Sequence, residues 1–510
     1  MGILRAVEAL AARHTGKLLR AAGRPVAHRR HARILSAGEA PADVAARARS
    51  TWWGAESRWY AAGTPPRRHT RVTPLIDGET YLRALQEALG SAEQYVYIAG
   101  WCLTPHIPLT RGAVDVVVDT RLLSLLDAVS QRVPVRVLLW SGAPAFIQPT
   151  TRAVRDVQRQ LLAQSTGDLR CELDHTAHFS HCHHQKAIVV DGRLAFVGGM
   201  DLTTFQGDRW DSTGHPLRAG LNWHDVQLRI EGEAVADVEA NFHQRWEAVT
   251  GERDLPRTAP VADQSWTSTT QIVRTIPQAT YDFAPRGEFG IFHVYCALLR
   301  RAERLIYLEN QYLWAPEIVD TLIEALNRPR TTPFRIVIVL PARAYSGKWD
   351  NDRHVEQLRE ADNGRNIIQV YAPYAWGPNL GTQPFSYRPI YVHAKVAVID
   401  DEWLLVGSAN LNDRGFVTDS EINALTHDPA TARDLRIDLW TEHLGMQREE
   451  VAAADPHTLI DSVWREHATA NARTIQRGIR PLSGTLHHYK TGNMPGSWLL
   501  EEVEMLTFEH

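Results

Sequence analysis

The pattern His-x-Lys-x4-Asp occurs twice in this chain of 510 residues, and no other feature limits its fold as tightly. The first copy reads His184-Gln185-Lys186-Ala187-Ile188-Val189-Val190-Asp191 and, six residues on, Gly198-Gly199-Met200-Asp201-Leu202. The second reads His393-Ala394-Lys395-Val396-Ala397-Val398-Ile399-Asp400 and, six residues on, Gly407-Ser408-Ala409-Asn410-Leu411. Every matched position is offset by 209 residues. With 23 histidines and five lysines, a random His-x-Lys is expected about 0.2 times, and requiring the aspartate lowers this to about 0.01. A third His-x-Lys, His488-Tyr489-Lys490, has Pro495 where the aspartate belongs and reads as coincidence. The chain is therefore expected to be a duplicated domain whose copies face each other about a pseudo-twofold axis.

Residues two apart on a strand point the same way, so each histidine shares a face with its lysine. Ile188 and Val190 continue that face inward while Ala187 and Val189 pack on the other, giving a strand buried on both sides except at its His/Lys mouth. Two cationic groups buried together are costly unless an anion answers them. A phosphate fits: the lysine supplies charge, and the imidazole attacks phosphorus or exchanges a proton near neutral pH. The small pairs that hold Gly199 and Ser408 let the backbone approach at the next turn, and Asn410 can donate to phosphate oxygens. Only five of 55 basic residues are lysine, which marks Lys186 and Lys395 as positions where arginine does not serve. The other 21 histidines, His28, His31 and His293 with them, read as surface or satisfied polar residues.

Around the motifs the chain alternates as α/β. Residues 95–100 read as a strand, 122–129 as a helix and 135–140 as a strand, and 305–308, 318–326 and 335–340 repeat that order. Residues 252–270, polar with prolines at 256 and 260, read as a linker between lobes at 70–251 and 271–446. A basic arm (1–69) and a C-terminal extension (447–510) flank them. The arm's first 34 residues hold eight basic residues and one acid, with apolar residues near helical spacing. That suits an amphipathic helix on an anionic membrane surface, or a solvated arm. Trp52, Trp53 and Trp59 read as packing against the first lobe. Hydrophobic residues at 44% exclude wholesale disorder, and four scattered cysteines exclude a disulfide scaffold and point to a reducing compartment. A net charge of −4 argues against nucleic acid as partner. No run of 18 apolar residues occurs, so no transmembrane helix is expected, and the cytoplasm is the expected location.

The repeated motif, with its neighbours, resembles the phospholipase D superfamily, of eukaryotic type. The likeness extends to Ala195-Phe196-Val197-Gly198-Gly199-Met200-Asp201-Leu202, Trp223-His224-Asp225-Val226, Tyr307-Leu308-Glu309-Asn310-Gln311-Tyr312, Asn412-Asp413-Arg414 with Asp419-Ser420-Glu421-Ile422, and Leu439-Trp440-Thr441-Glu442-His443. It covers about residues 70–445. One departure is Gly415, where serine is common. The resemblance implies a duplicated α/β sandwich, two lobes with mixed sheets flanked by helices.

It also implies a mechanism in which one histidine attacks phosphorus and the other protonates the leaving alcohol. His184 is assigned to attack and His393 to acid/base work, the reverse order staying open. Lys186 and Lys395, with Asn410, would neutralise the phosphate in place of a metal, so neither metal nor cofactor is expected. Asp191 and Asp400 belong to the catalytic motif by family, although their place at the inner end of each strand reads as structural. Asp225 and Glu421 are candidates to orient the imidazoles. Asp201, Gly199, Ser408, Glu309 and Gln311 are candidates to line the substrate site. The expected activity is hydrolysis of glycerophospholipids to phosphatidic acid and a head-group alcohol, with transfer to other alcohols, by a monomer at a membrane surface. The alternatives are a cardiolipin synthase-like phosphatidyltransferase and, less favoured, a nuclease.

Overall fold

The computed structural model describes residues 58–492, apart from 112–118, 145–148, 179–180, 262, 345–346 and 380–382. The candidate amphipathic helix of the arm, Trp52, Trp53 and the last 18 residues lie outside the described residues. Each lobe runs through the same succession of elements. The first contains β1 (Arg67–Ile76), α1 (Asp77–Gly90), β2 (Val96–Gly100), α2 (Leu122–Ser130), β3 (Val135–Trp140), α3 (Thr151–Gln164), β4 (Leu169–Asp174), β5 (Ala187–Val190), β6 (Leu194–Gly198), β7 (Val226–Gly232) and α4 (Val235–Thr250). The second contains β8 (Ser268–Ile276), α5 (Gly290–Arg301), β9 (Leu305–Asn310), α6 (Pro316–Asn327), β10 (Arg335–Val339), α7 (Lys348–Asp362), β11 (Ile368–Pro378), β12 (Lys395–Ile399), β13 (Trp403–Gly407), β14 (Glu421–His427) and α8 (Pro429–Leu444).

Hydrogen bonding orders the first sheet β4-β3-β2-β5-β6-β7-β1. The second is ordered β11-β10-β9-β12-β13-β14-β8, the same path with each strand replaced by its counterpart. In both, the three strands joined by helical crossovers are parallel and the rest antiparallel, giving a duplicated mixed α/β fold. β1 and β8 pair antiparallel, Thr70 opposite Ser268, and join the sheets.

Strand alternation decides which side chains meet. Ala187 and Val189 of β5, with Val396 and Val398 of β12, enter a central apolar cluster that both lobes share. Ile188 and Val190 turn instead to the first lobe's outer core, against Leu82, Leu85 and Leu126. Ala397 and Ile399 turn to the second lobe's, against Leu322 and Leu358. A leucine as enclosed as Leu85 or Leu322 contributes about 1.5–3 kcal/mol by leaving water. Every residue of β5 and β12 is buried, so the motif strands are anchored from both faces before any polar contact is counted.

Two connections differ in kind from free tethers. The chain from 252 to 267 has neither helix nor strand among its described residues, yet Leu255 is buried and Tyr97 Oη donates to the Pro256 carbonyl at 2.7 Å. After α8, Trp464 enters the central cluster and strand Leu486–His488 pairs antiparallel with β11. Trp59 packs edge-on against Trp403 of β13 at 4.8 Å, so it lies on the second lobe and not, as its position in sequence suggested, on the first. All four cysteines are buried thiols.

Candidate active site

β5 starts at Ala187, so His184 and Lys186 stand just before the strand rather than on it. The cause is a contact across the lobes: the His184 N–H donates to the Ser420 carbonyl at 2.9 Å, beside a His183–Ser420 bridge. In the other lobe the His393 N–H donates to the His224 carbonyl at 2.8 Å, continuing the parallel pairing of residues 390–392 with 222–224. Each motif leaves its own sheet at the mouth and pairs with the opposite lobe. That exchange brings the two histidines together.

Their orientation is reciprocal as well. His184 Nδ1 lies 2.9 Å from Glu421 of the second lobe, and His393 Nδ1 lies 2.6 Å from Asp225 of the first. A carboxylate acceptor at Nδ1 assigns the proton there and leaves Nε2 with its lone pair. Burial, then Lys186, pushes His184 well below the usual histidine range. Burial, then Lys395 and Arg209, does the same to His393. Burial raises Glu421 well above an ordinary carboxyl and Asp225 to about 7. Burial and the neighbouring cations therefore favour neutral imidazoles, the form that attacks or accepts a proton, and an anion beside them favours the imidazolium.

Gly199 and Ser408, expected to line the substrate site, stand against these carboxylates. A Cβ at Gly199 would fall 2.1 Å from Asp225 Oδ1, while Ser408 Oγ donates to Glu421 at 2.5 Å. Asp201 carries the same expectation. Its Oδ2 pairs with Lys186 Nζ at 2.9 Å and its Oδ1 accepts the Trp101 N–H, so both its oxygens are engaged and it neutralises the lysine. Lys395 has no such carboxylate among the described residues: Asn410 stands at the matched position, and Nζ donates to Gln311 Oε1 at 3.3 Å and to its own motif's His393 carbonyl. Burial lowers Lys395 to about 7. Asn410 Oδ1 is buried and takes no hydrogen bond among the described residues. Gln311 also donates to Tyr391 Oη at 2.7 Å, which fixes it beside Lys395.

Asp191 and Asp400 are not catalytic. Five extended residues, roughly 16 Å, separate each from its lysine. Asp191 accepts the N–H groups of Glu93, Gln94 and Tyr95, and Asp400 those of Glu303, Arg304 and Leu305, so each ties the end of its motif strand to the start of β2 or β9. Both sit at positive φ, 56° and 58°, which aspartate tolerates when its side chain bonds nearby backbone. Glu309 does not line the site either. It accepts from His224 Nε2 and His443 Nε2, each at 2.8 Å, and from Tyr307.

That glutamate opens a buried network that sequence reasoning treated as ordinary histidines. His224 Nδ1 donates to Asp77 at 3.0 Å, and the same carboxylate accepts the Asp225 N–H. His215 pairs with Asp77, Asp211 and Glu442. Against the cost of burial, Glu309 and Asp77 raise His224 well above its usual range, and Asp77 and Glu442 raise His215 to about 10. Ligand atoms of Asp77, His215, His224 and Glu442 lie within 4.8 Å of one another, as do those of His224, Glu309 and His443, so these groups can hold a cation; they also neutralise one another. Their position beneath residues 224 and 225 makes them the support of His393. The Trp-His-Asp and Trp-Thr-Glu-His blocks were the signal. His293, expected to be a surface or satisfied polar residue, leaves Nε2 without a hydrogen bond among the described residues and stacks on Tyr60. At Gly415 a Cβ would lie 2.5 Å from the Asn410 carbonyl, so glycine keeps the chain close to Asn410.

Among the described residues no helix is long and apolar enough to cross a membrane. Residues 88–222 match the family described as Phospholipase D, and residues 295–441 match the one described as Cardiolipin synthase, PLD-like domain. Phospholipase D alpha 4 of Arabidopsis thaliana is 26% identical over an alignment covering 73% of this chain and 65% of that protein. Phospholipase D alpha 1 of Cynara cardunculus is 26% identical, covering 80% and 69%. Phospholipase D1 of Saccharomyces cerevisiae is 23% identical, covering 85% of this chain and 34% of its own length. The chain thus spans about two thirds of the length of the plant relatives and a third of the yeast one. Each match reaches across a lobe or both, and each lobe brings one His/Lys pair to a shared site: the chain belongs to the phospholipase D superfamily and carries two phospholipase D-like motifs.

Proposed function

We propose that the chain is a phospholipase D-type phosphodiesterase that cleaves glycerophospholipids to phosphatidic acid and a head-group alcohol and transfers the phosphatidyl group to other alcohols. One observation carries the reading: two histidines, each held at Nδ1 by a carboxylate of the opposite lobe, flanked by two buried lysines. His184 attacks phosphorus through Nε2 and the P–O bond to the head group breaks. His393 gives its proton to the departing oxygen. It then takes a proton from water or an alcohol, whose oxygen forms the new P–O bond as the phosphorus–nitrogen bond breaks. Lys186 and Lys395 hold the phosphoryl oxygens as charge builds. The plant and yeast relatives named phospholipase D support this reading.

A transferase in which a lipid alcohol replaces water is the second reading, favoured by the description of the family that residues 295–441 match. The same proposal has the chain work as a monomer at the cytoplasmic side of a membrane, on lipid and not nucleic acid. Purified protein given phosphatidylcholine, phosphatidylglycerol and plasmid DNA in parallel, with and without ethanol, tests it. Phosphatidylethanol from phosphatidylcholine supports the first reading, cardiolipin from phosphatidylglycerol selects the second, and nicked DNA alone overturns both.

A further inference from the structure

A cavity of about 500 Å³ opens beside the second-lobe histidine, within the size range of pockets that take small molecules. Tyr391 forms part of its wall, and the same ring is stacked 6.4 Å from the His393 imidazole. The space therefore adjoins the group that exchanges a proton with the alcohol, and not the one that attacks phosphorus. Leu221, Pro389 and Ile390 give it apolar lining.

Its charge is one-sided. Arg343, Lys348, Arg388 and Lys490 line it, and among the described residues no acidic one does. Lys348 is answered from behind by Asp352 at 2.6 Å. Arg388 spends two hydrogen bonds on the carbonyls of Arg218 and Ala219, which leaves its charge uncompensated. Arg343 and Lys490 are exposed and have no acidic partner among the described residues. His488 also lines the cavity, so the third His-x-Lys, though no catalytic motif, places two side chains here.

We propose that this cavity binds the alcohol half of the reaction and selects one that carries its own anionic group, a phosphate or carboxylate placed against Arg343, Arg388 and Lys490. A trimethylammonium or ammonium head group meets repulsion at the same rim. The inference rests on the phospholipase D reading and on His393 as the acid/base. The anion has two possible sources, the head group of the lipid cleaved or the alcohol that accepts the phosphatidyl group.

Two arms separate the sources. In mixed micelles, cardiolipin, whose head group bears a second phosphate, is compared with phosphatidylcholine as the lipid cleaved. With phosphatidylcholine as donor, glycerol 3-phosphate is compared with glycerol as acceptor. A preference of about tenfold or more in kcat/KM is expected in at least one arm. The Arg343→Ala/Lys490→Ala variant should shrink that ratio, a readout that general loss of folding does not move. Equal rates in both arms, in a protein that turns over, overturn the proposal and leave the phospholipase D reading standing. Binding is measured separately by titrating glycerol 3-phosphate into His184→Ala protein. The Arg343→Ala/Lys490→Ala substitution should weaken it about tenfold. If no phospholipid turns over, the functional reading falls and this titration decides the cavity: binding unchanged by the double substitution overturns it.

Discussion

The two lobes share one scaffold and differ at the lysine. Strand order, crossover helices and the aspartate that ties each motif strand to its neighbour are the same in both. Met200 N–H donates to Gln227 and Ala409 N–H to Asn423, a matched pair of contacts behind the site. At the next position the match ends. Asp201 neutralises Lys186 under Trp101, whereas Asn410 and Gln311, their counterparts, leave Lys395 to neutral acceptors. One cation is satisfied by a carboxylate of its own lobe. The other has no carboxylate at ion-pair distance among the described residues and feels Asp225 and Glu421 only through space. Duplication supplies the geometry of a two-histidine site, and these substitutions divide its labour.

The largest contrast is chemical. His184→Ala and His393→Ala should each abolish turnover of phosphatidylcholine, about 10²–10⁴-fold or more for loss of a proton-transfer group alone. The asymmetry shows with an activated leaving group that needs no acid: His393→Ala should still release one equivalent in a burst, and His184→Ala should release none. A burst from His184→Ala reverses the assignment.

Stability separates the lysines next. Lys186→Met strands Asp201 as an unpaired buried carboxylate and should cost about 3–5 kcal/mol in a urea unfolding curve. Lys395→Met removes a buried cation with no carboxylate partner, so it should be neutral or stabilising while turnover is lost. Equal destabilisation by the two would erase the distinction.

The pH dependence follows with a smaller effect. Lys395, lowered to about 7 by burial, is charged below that pH and neutral above it, so KM for the phosphodiester should rise as pH increases through 7. Asn410→Asp gives Lys395 the partner that Lys186 already has. An adjacent carboxylate favours the ammonium form, and the break in KM should move to higher pH while kcat/KM falls. A break that stays in place would detach it from Lys395. The smallest effect on activity belongs to Asp191→Ala and Asp400→Ala. Each loses the N–H contacts that tie the end of its motif strand, the cost in stability being larger for Asp191, whose partner Tyr95 N–H is buried, than for Asp400, whose partners are exposed or half-buried, with kcat unchanged.

Much of this was legible in the sequence because the signals were local. Residues 135–140, apolar except for Arg136, became β3 at those bounds, and the 209-residue offset carried the duplication. Asp225 and Glu421 could be named as orienting groups from their place in quoted blocks. What stayed hidden depends on distant partners. Glu309 lies in a strand-end block that suggests a site residue, yet it is claimed by histidines 85 and 134 positions away. Asp201 and Asn410 fill equivalent places in the motif, and only the contact with Lys186 shows that one is a counter-ion. Asp191 and Asp400 are recognised by spacing, which records membership of the motif and not distance from the reaction.

The claim that joins these observations is a covalent phosphatidyl adduct on the first-lobe histidine, resolved by the second. It is tested most directly by giving His393→Ala protein a phospholipid with an activated leaving group, quenching, and locating the added mass on peptides under conditions that preserve phosphohistidine. The adduct is expected on the peptide containing His184 and absent from His184→Ala protein treated alike. An adduct on the His393 peptide of His184→Ala protein, with none on His184, would contradict the account.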